Sequence, residues 1–171
     1  MEGRKVYVLD TTAILATQLE PGAAELVTVQ EVVEEVVYGG LAPQRLATAL
    51  AKNVVRVRKP SKQSVEKVSS AAVATGDLPK LSKADINLLA AACDEQSEGK
   101  RVVVLSDDYS LQNTALTLGL EVAGIARMPV RSLRKWSGQC KVCGKVFDKL
   151  VKACPVCGGE VVRRVKAADR G

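Results

Sequence analysis

The 171-residue chain contains no histidine. Imidazole is the commonest general base near neutral pH. Ser-His-Asp and Cys-His catalysis are therefore excluded, as are histidine-ligated metal centres. Chemistry has to come from carboxylates, Lys, Tyr, Cys or a metal that these hold. Aromatic residues are scarce, at 3%, so Val, Leu, Ile and Ala must build the core. Long apolar runs are missing as well. The longest, Leu88 to Cys93, falls far short of the roughly 20 residues of a spanning helix. The stretch Val6 to Leu9 is too short for a signal peptide and runs straight into Asp10. The expected location is cytoplasmic, with no membrane partner.

What is present is a globular composition, 47% hydrophobic and 26% charged. The length suits one ordinary domain with a small appendage. The net charge of +6 is unevenly spread. Residues 1–131 hold 15 basic and 16 acidic side chains, whereas residues 132–171 hold 10 basic and 3 acidic. A positive segment of this kind implies a polyanionic partner, with nucleic acid the leading candidate over a merely solvated tail.

Strand and helix patterns alternate along the first 125 residues. Strands are expected at Lys5–Leu9, Glu25–Thr28, Val54–Arg58, Val102–Leu105 and Glu121–Ile125. Helices are expected at Thr11–Thr17, Thr28–Val37, Pro43–Lys52, Ser61–Thr75, Ser82–Glu98 and Asp107–Leu118. Thr28 and Glu31 are spaced as a capping box. Gly39-Gly40, Gly76, Gly99 and Gly119 mark helix ends. Such alternation argues for a three-layer α/β sandwich on a mostly parallel sheet. Arg127–Lys135 reads as a linker, and from Trp136 the chain changes to short runs between cysteine pairs.

Those pairs, Cys140-Lys-Val-Cys143-Gly and Cys154-Pro-Val-Cys157-Gly, are two C-x-x-C-G knuckles. In each, both sulfurs can face one ion, and the glycine permits the tight turn that follows. Together they offer the four-thiolate tetrahedron of structural Zn²⁺. A disulfide is disfavoured by the cytosolic reading, and a redox motif by the duplication. The site is closed, so this metal is structural. Cys93, within the longest apolar run, reads as a buried inert thiol.

Asp10 follows the first strand directly, and Asp107 and Asp108 follow the fourth strand after Ser106. Ligands bind off the carboxyl ends of parallel strands. Asp85 opens a helix that leads into a strand, so it belongs to the same edge. Glu34 and Glu35 lie further along their helix, from which one can reach inward. Each acid also has a local explanation, as a helix cap or a surface charge. Clustered carboxylates need a compensating cation, and hard oxygen ligands select Mg²⁺ or Mn²⁺. Phosphodiester hydrolysis is the simplest chemistry for such a site.

Val8-Leu9-Asp10-Thr11-Thr12, Val32-Val33-Glu34-Glu35-Val36, Leu81-Ser82-Lys83-Ala84-Asp85-Ile86 and Leu105-Ser106-Asp107-Asp108-Tyr109 resemble the ordered acidic motifs of PIN-domain nucleases. Thr75-Gly76-Asp77 through Asp85, Asp108 through Asn113, and the cysteine knuckles resemble more narrowly the Nob-type endonucleases, which mature the 3′ end of small-subunit ribosomal RNA. The compact length points to an archaeal member.

The resemblance implies a PIN-like nuclease domain over 1–126, a linker over 127–135, a zinc ribbon over 136–164 and a basic tail over 165–171. It implies Asp10, Glu35, Asp85 and Asp108 as ligands of catalytic Mg²⁺ or Mn²⁺, with Asp107 the alternative to Asp108. Glu35 is preferred to Glu34 because the family helix reads Val-Val-x-Glu. Thr12 and Asn113 are expected to orient ligands or phosphate. RNA contacts are expected from Arg131, Arg134, Lys135, Lys141, Lys145, Lys149 and Lys152, with Trp136 either stacking on a base or packing in the ribbon. The implied partners are precursor ribosomal RNA, the small-subunit precursor and other ribosome assembly proteins. Two rivals stand beside this reading: a PIN-type toxin ribonuclease, and a non-catalytic RNA-binding assembly factor.

Overall fold

The computed structural model describes residues 4–38, 40–125, 136–147 and 151–165. They fall into two compact units that divide between Met128 and Pro129. In the first unit, strands β1 (Lys5–Leu9), β2 (Glu25–Thr28), β3 (Val55–Val57), β4 (Arg101–Leu105) and β5 (Glu121–Ala123) form one sheet in the order β3-β2-β1-β4-β5. Every pairing of these described strands is parallel, in keeping with the expected mostly parallel sheet. Val8 lies beside Val27 on one side and Val104 on the other. These strands are continuous apolar runs because both faces are covered; Val6, Val8, Val27 and Val104 are all fully buried.

Among the described residues, six helices flank the sheet: α1 (Thr11–Ala16), α2 (Gln30–Glu35), α3 (Ala42–Ala51), α4 (Lys62–Thr75), α5 (Lys83–Ser97) and α6 (Tyr109–Thr117). From β1 the chain moves one way to β2 and β3, then returns across the sheet to β4 and β5. Right-handed crossovers send these two journeys over opposite faces. The helix contacts agree: α1 packs with α3, whereas α5 packs with α4 and α6. Helix α5 is the central element. Ser82 and Asp85 form a reciprocal capping box at its start. Leu88 through Ala92 are fully buried, as expected of a helix whose middle turns are apolar all round. Cys93 is buried too, and burial pushes its thiol up.

The Thr28–Glu31 capping box does not form. Thr28 ends β2, and its hydroxyl donates to the Leu9 carbonyl at 2.9 Å, tying β2 to β1. The shorter helix α2 starts behind Val29, which offers no side-chain cap. A local side-chain pattern competed with the sheet ladder, and the ladder prevailed. The third strand is also shorter than its Val54–Arg58 pattern. A 3₁₀ turn at Leu78–Lys80, built around Pro79, went unanticipated.

Two acids on α5 are buried, and both are partnered. Glu95 has a fully buried side chain, held by Arg56 and Arg58 at 2.7 Å each and by Lys100. Asp94 accepts the Ser61 N–H at 2.7 Å and the Ser61 hydroxyl at 2.8 Å, with the Ser64 hydroxyl adding a third bond. These bonds fasten the start of α4 to α5.

The second unit is an antiparallel sheet of β6 (Trp136–Cys140), β7 (Val146–Phe147) and β8 (Val161–Val165), in the order β7-β6-β8. Among the described residues, no helix is long and apolar enough to cross a membrane. The expected linker over 127–135 lies outside the described residues.

Candidate active site and metal centre

The order β3-β2-β1-β4-β5 reverses direction between β1 and β4. That is the switch point of the sheet, where the loops leaving neighbouring strands diverge and open a crevice. Asp10 leaves β1 at this point, and Ser106, Asp107 and Asp108 leave β4 beside it.

Three of the acids are also helix caps. One Asp10 oxygen accepts the Ala13 N–H at 2.6 Å and starts α1. Asp108 accepts the Leu111 N–H at 2.8 Å and starts α6. Asp85 accepts the Ser82 N–H at 2.7 Å within the box that starts α5. The capping and functional readings therefore coincide. Each cap occupies one carboxylate oxygen, and three helix N-termini aim their partial positive charge at the same edge.

Asp10 is buried, and its carboxyl is pushed above the usual carboxylate range. The cause is first burial, then the negative charges of Asp85 and Asp107; hydrogen bonds from Ser106 and Ala13 oppose the rise. Among the described residues, none of Asp10, Glu35, Asp85, Asp107 and Asp108 forms an ion pair with Lys or Arg. A divalent cation fits such an uncompensated, oxygen-rich crevice.

Glu35 is exposed and joins the group through Thr11, whose hydroxyl donates to it at 2.6 Å. Glu34 turns instead to Gln30 at 3.2 Å. Asp107 accepts the Ile125 N–H at 3.0 Å, and a side chain at Gly124 would crowd the same oxygen. The acids are gathered but not closed. Among the described residues, the tight cluster of metal-ligating atoms is made by cysteines, not carboxylates.

Asn113, expected to orient ligands, donates to Asp77 at 2.7 Å, and with Thr75 it holds that buried carboxyl low. Thr12 is exposed; its neighbour Thr11 touches the acid. Ser106, the hydroxyl two positions before Asp108 in its acidic motif, is a hub of these contacts. It is fully buried, its hydroxyl receives the Asp108 N–H at 3.0 Å, and it lies beside Asp10, whose charged form it favours. A hydroxyl set between a buried strand and an acid pair was the available signal.

In the second unit Cys140, Cys143, Cys154 and Cys157 place all four sulfurs within 4.8 Å of one another. Cys140 and Cys157 are 3.4 Å apart, and Cys143 and Cys154 are 3.7 Å apart. A zinc tetrahedron with 2.3 Å bonds requires sulfurs about 3.8 Å apart, so the group fits. Backbone N–H groups of Cys143 and Val142 lower the Cys140 thiol toward thiolate. Each knuckle closes on a left-handed glycine, Gly144 or Gly158. Lys145 and Lys152 are exposed, and Lys141 pairs with Glu160 at 2.9 Å. Arg131, Arg134, Lys135, Lys149 and the Trp136 side chain lie outside the described residues.

A family profile described as "PIN domain of ribonuclease" matches residues 7–94. The chain belongs to the PIN-domain ribonuclease family. Within this PIN domain the match takes in Asp10, Glu35 and Asp85, and it stops short of Asp107 and Asp108. Similarity to named relatives extends much further. The chain is 39% identical to Endoribonuclease Nob1 of Archaeoglobus fulgidus, over 95% of this chain and 93% of the relative. It is 36% identical to Endoribonuclease Nob1 of Pyrococcus abyssi, over 68% and 70%. It is 34% identical to Ribonuclease VapC1 of Thermoplasma acidophilum, over 92% and 77%.

Proposed function

We propose that this protein is a divalent-metal-dependent endoribonuclease that matures the 3′ end of small-subunit ribosomal RNA from its precursor. The observation that supports this most is a switch-point crevice whose carboxylates form no ion pair with Lys or Arg among the described residues, on a chain similar over 95% of its length to a Nob1 endoribonuclease. Asp10, Glu35, Asp85 and Asp108 are the proposed Mg²⁺ or Mn²⁺ ligands. Asp107 adds its charge to the crevice.

Bound there, the ion supplies Lewis acidity for water activation and for the charge on the leaving oxygen. The residues prepare that chemistry. Ser106 favours the charged form of Asp10 and braces the Asp108 backbone. Thr11 aims Glu35 toward the Asp10 strand end. Burial of Asp10 removes competing water. The reaction balances as hydrolysis: a water oxygen bonds to phosphorus, the bond to the 3′ oxygen breaks, and that oxygen leaves as a hydroxyl after gaining a proton. The four cysteines hold one structural Zn²⁺, and the basic ribbon segment grips structured RNA.

Likeness to a VapC ribonuclease supports a second reading, in which the same acids cut a different RNA. The test is cleavage with Mn²⁺ of a small-subunit precursor spanning the mature 3′ end, by wild type and Asp10→Asn. The expected result is one cut at that end by wild type alone. Cleavage by both proteins, or by neither, overturns the proposal. Cleavage of unrelated RNA alone selects the second reading.

A further inference from the structure

We infer that a groove beside the acid crevice holds the RNA strand as it leaves the cleavage point, gripping its phosphates with Lys59, Lys62 and Lys83. The inference rests on the nuclease reading above and extends it to a substrate subsite on the PIN domain itself. The groove is open, has a volume of about 710 Å³, and lies among α2, α4, α5 and the end of β3.

Its position follows from the sheet. Neighbouring strands lie about 4.8 Å apart. Strand β3, whose end borders the groove, is two strands from β1, whose end carries Asp10. The groove therefore begins about 10 Å from the crevice, along the same carboxyl edge. Two helices bridge the interval. On α2, Glu31 lines the groove, and Glu35 lies one turn on along the same face. On α5, Lys83 and Asn87 line it, and Asp85 lies between them in sequence.

Its charge suits a polyanion. Lys59 and Lys62 are exposed and form no ion pair among the described residues. The Lys83 side chain is 84% exposed, with only a 3.9 Å approach to Glu31. Glu31 in turn accepts the Asn87 amide at 2.6 Å. Arg58, at the back, is committed to Glu95 and Glu98. Glu31 and Glu66 also line the groove, and the three exposed lysines outnumber them; over a wall that includes Val57, Pro60 and Val65 they give phosphate contacts beside apolar surface. Lysines that track a phosphate backbone bind a single strand without reading its sequence. Residues 1–131 carry a slight acidic excess, so these lysines also offset the repulsion between RNA and the acid crevice.

The experiment uses the full chain and an RNA with single-stranded tails on both sides of the cut. Binding is titrated against salt for Asp10→Asn, and for the same variant with Lys59→Ala and Lys62→Ala. Losing two phosphate contacts should lower the slope of log affinity against log salt by about 1.4, at about 0.7 per contact. Shortening one tail should erase the difference, and Lys59→Arg with Lys62→Arg should restore the slope. Equal slopes with and without the lysines, at unchanged melting temperature, overturn the inference. Cleavage is measured alongside. If Asp10→Asn is inactive and the slopes are equal, the groove inference alone fails; if Asp10→Asn cleaves, the nuclease reading fails.

Discussion

Replacing Asp10 with Asn removes one charge and little else, so it separates two jobs of that residue. The first is to cap α1 through the 2.6 Å bond from Ala13. Asn caps about as well as Asp, whereas Ala loses the bond at a cost of about 1 kcal/mol. The second job is to carry negative charge where burial, Asp85 and Asp107 disfavour it. The folded carboxyl is therefore raised above its unfolded value. Its contribution to stability is complete in acid and is lost as pH rises through the folded value. With no divalent ion added, Asp10→Asn should be at least as stable as wild type near neutral pH, and the gap should close in mild acid.

Adding Mn²⁺ should reverse that order. At 100 times its dissociation constant a ligand stabilises the state that binds it by about 2.7 kcal/mol, which is roughly 10 °C in melting temperature for a unit of this size. Wild type should gain this, and Asp10→Asn should not. Turnover should fall by about 10³-fold if about 4 kcal/mol of metal-assisted stabilisation is lost. Melting curves with and without Mn²⁺, followed by single-turnover cleavage, provide the measurement. Equal Mn²⁺ shifts in both proteins, or an Asn variant as unstable as Asp10→Ala, would refute the reasoning.

Elemental analysis should find one zinc per chain, and Cys140→Ser should abolish it while the melting of the α/β unit is unchanged. Gly159→Ala should weaken zinc retention in a chelator competition, because a Cβ there would lie 2.7 Å from Val142 Cγ2 and 3.0 Å from the Cys140 sulfur. Glu95→Ala should cost about 3 kcal/mol in urea unfolding, at the low end for breaking a buried pair, because Arg56 keeps 45% of its side chain exposed. A loss under about 1 kcal/mol would mean that water already satisfies the three cations. A chain ending at Arg127 should bind structured RNA more weakly and with a shallower salt slope; unchanged binding would assign the ribbon another role.

Much of this was legible in the sequence because its signals are local. A buried parallel strand must be apolar throughout, so Lys5–Leu9 and Val102–Leu105 declared themselves. Ser82 and Asp85 cap a helix through atoms three residues apart. Each C-x-x-C-G turn sets its own pair of sulfurs through a few consecutive residues. The acids were legible as candidates, since Asp10 and Asp108 follow strands that end at one edge. Tertiary structure decided what those patterns left open. It spent Thr28 on Leu9 rather than on a helix cap, and it paired Asn113 with Asp77. It brought Thr11 within reach of Glu35 and turned Glu34 to Gln30. It also set Ser106 beside Asp10, 96 positions away in the chain. A capping carboxylate and a gathered one have the same neighbours in sequence. They differ in the charges that distant strands bring near, and only the strand order fixes those.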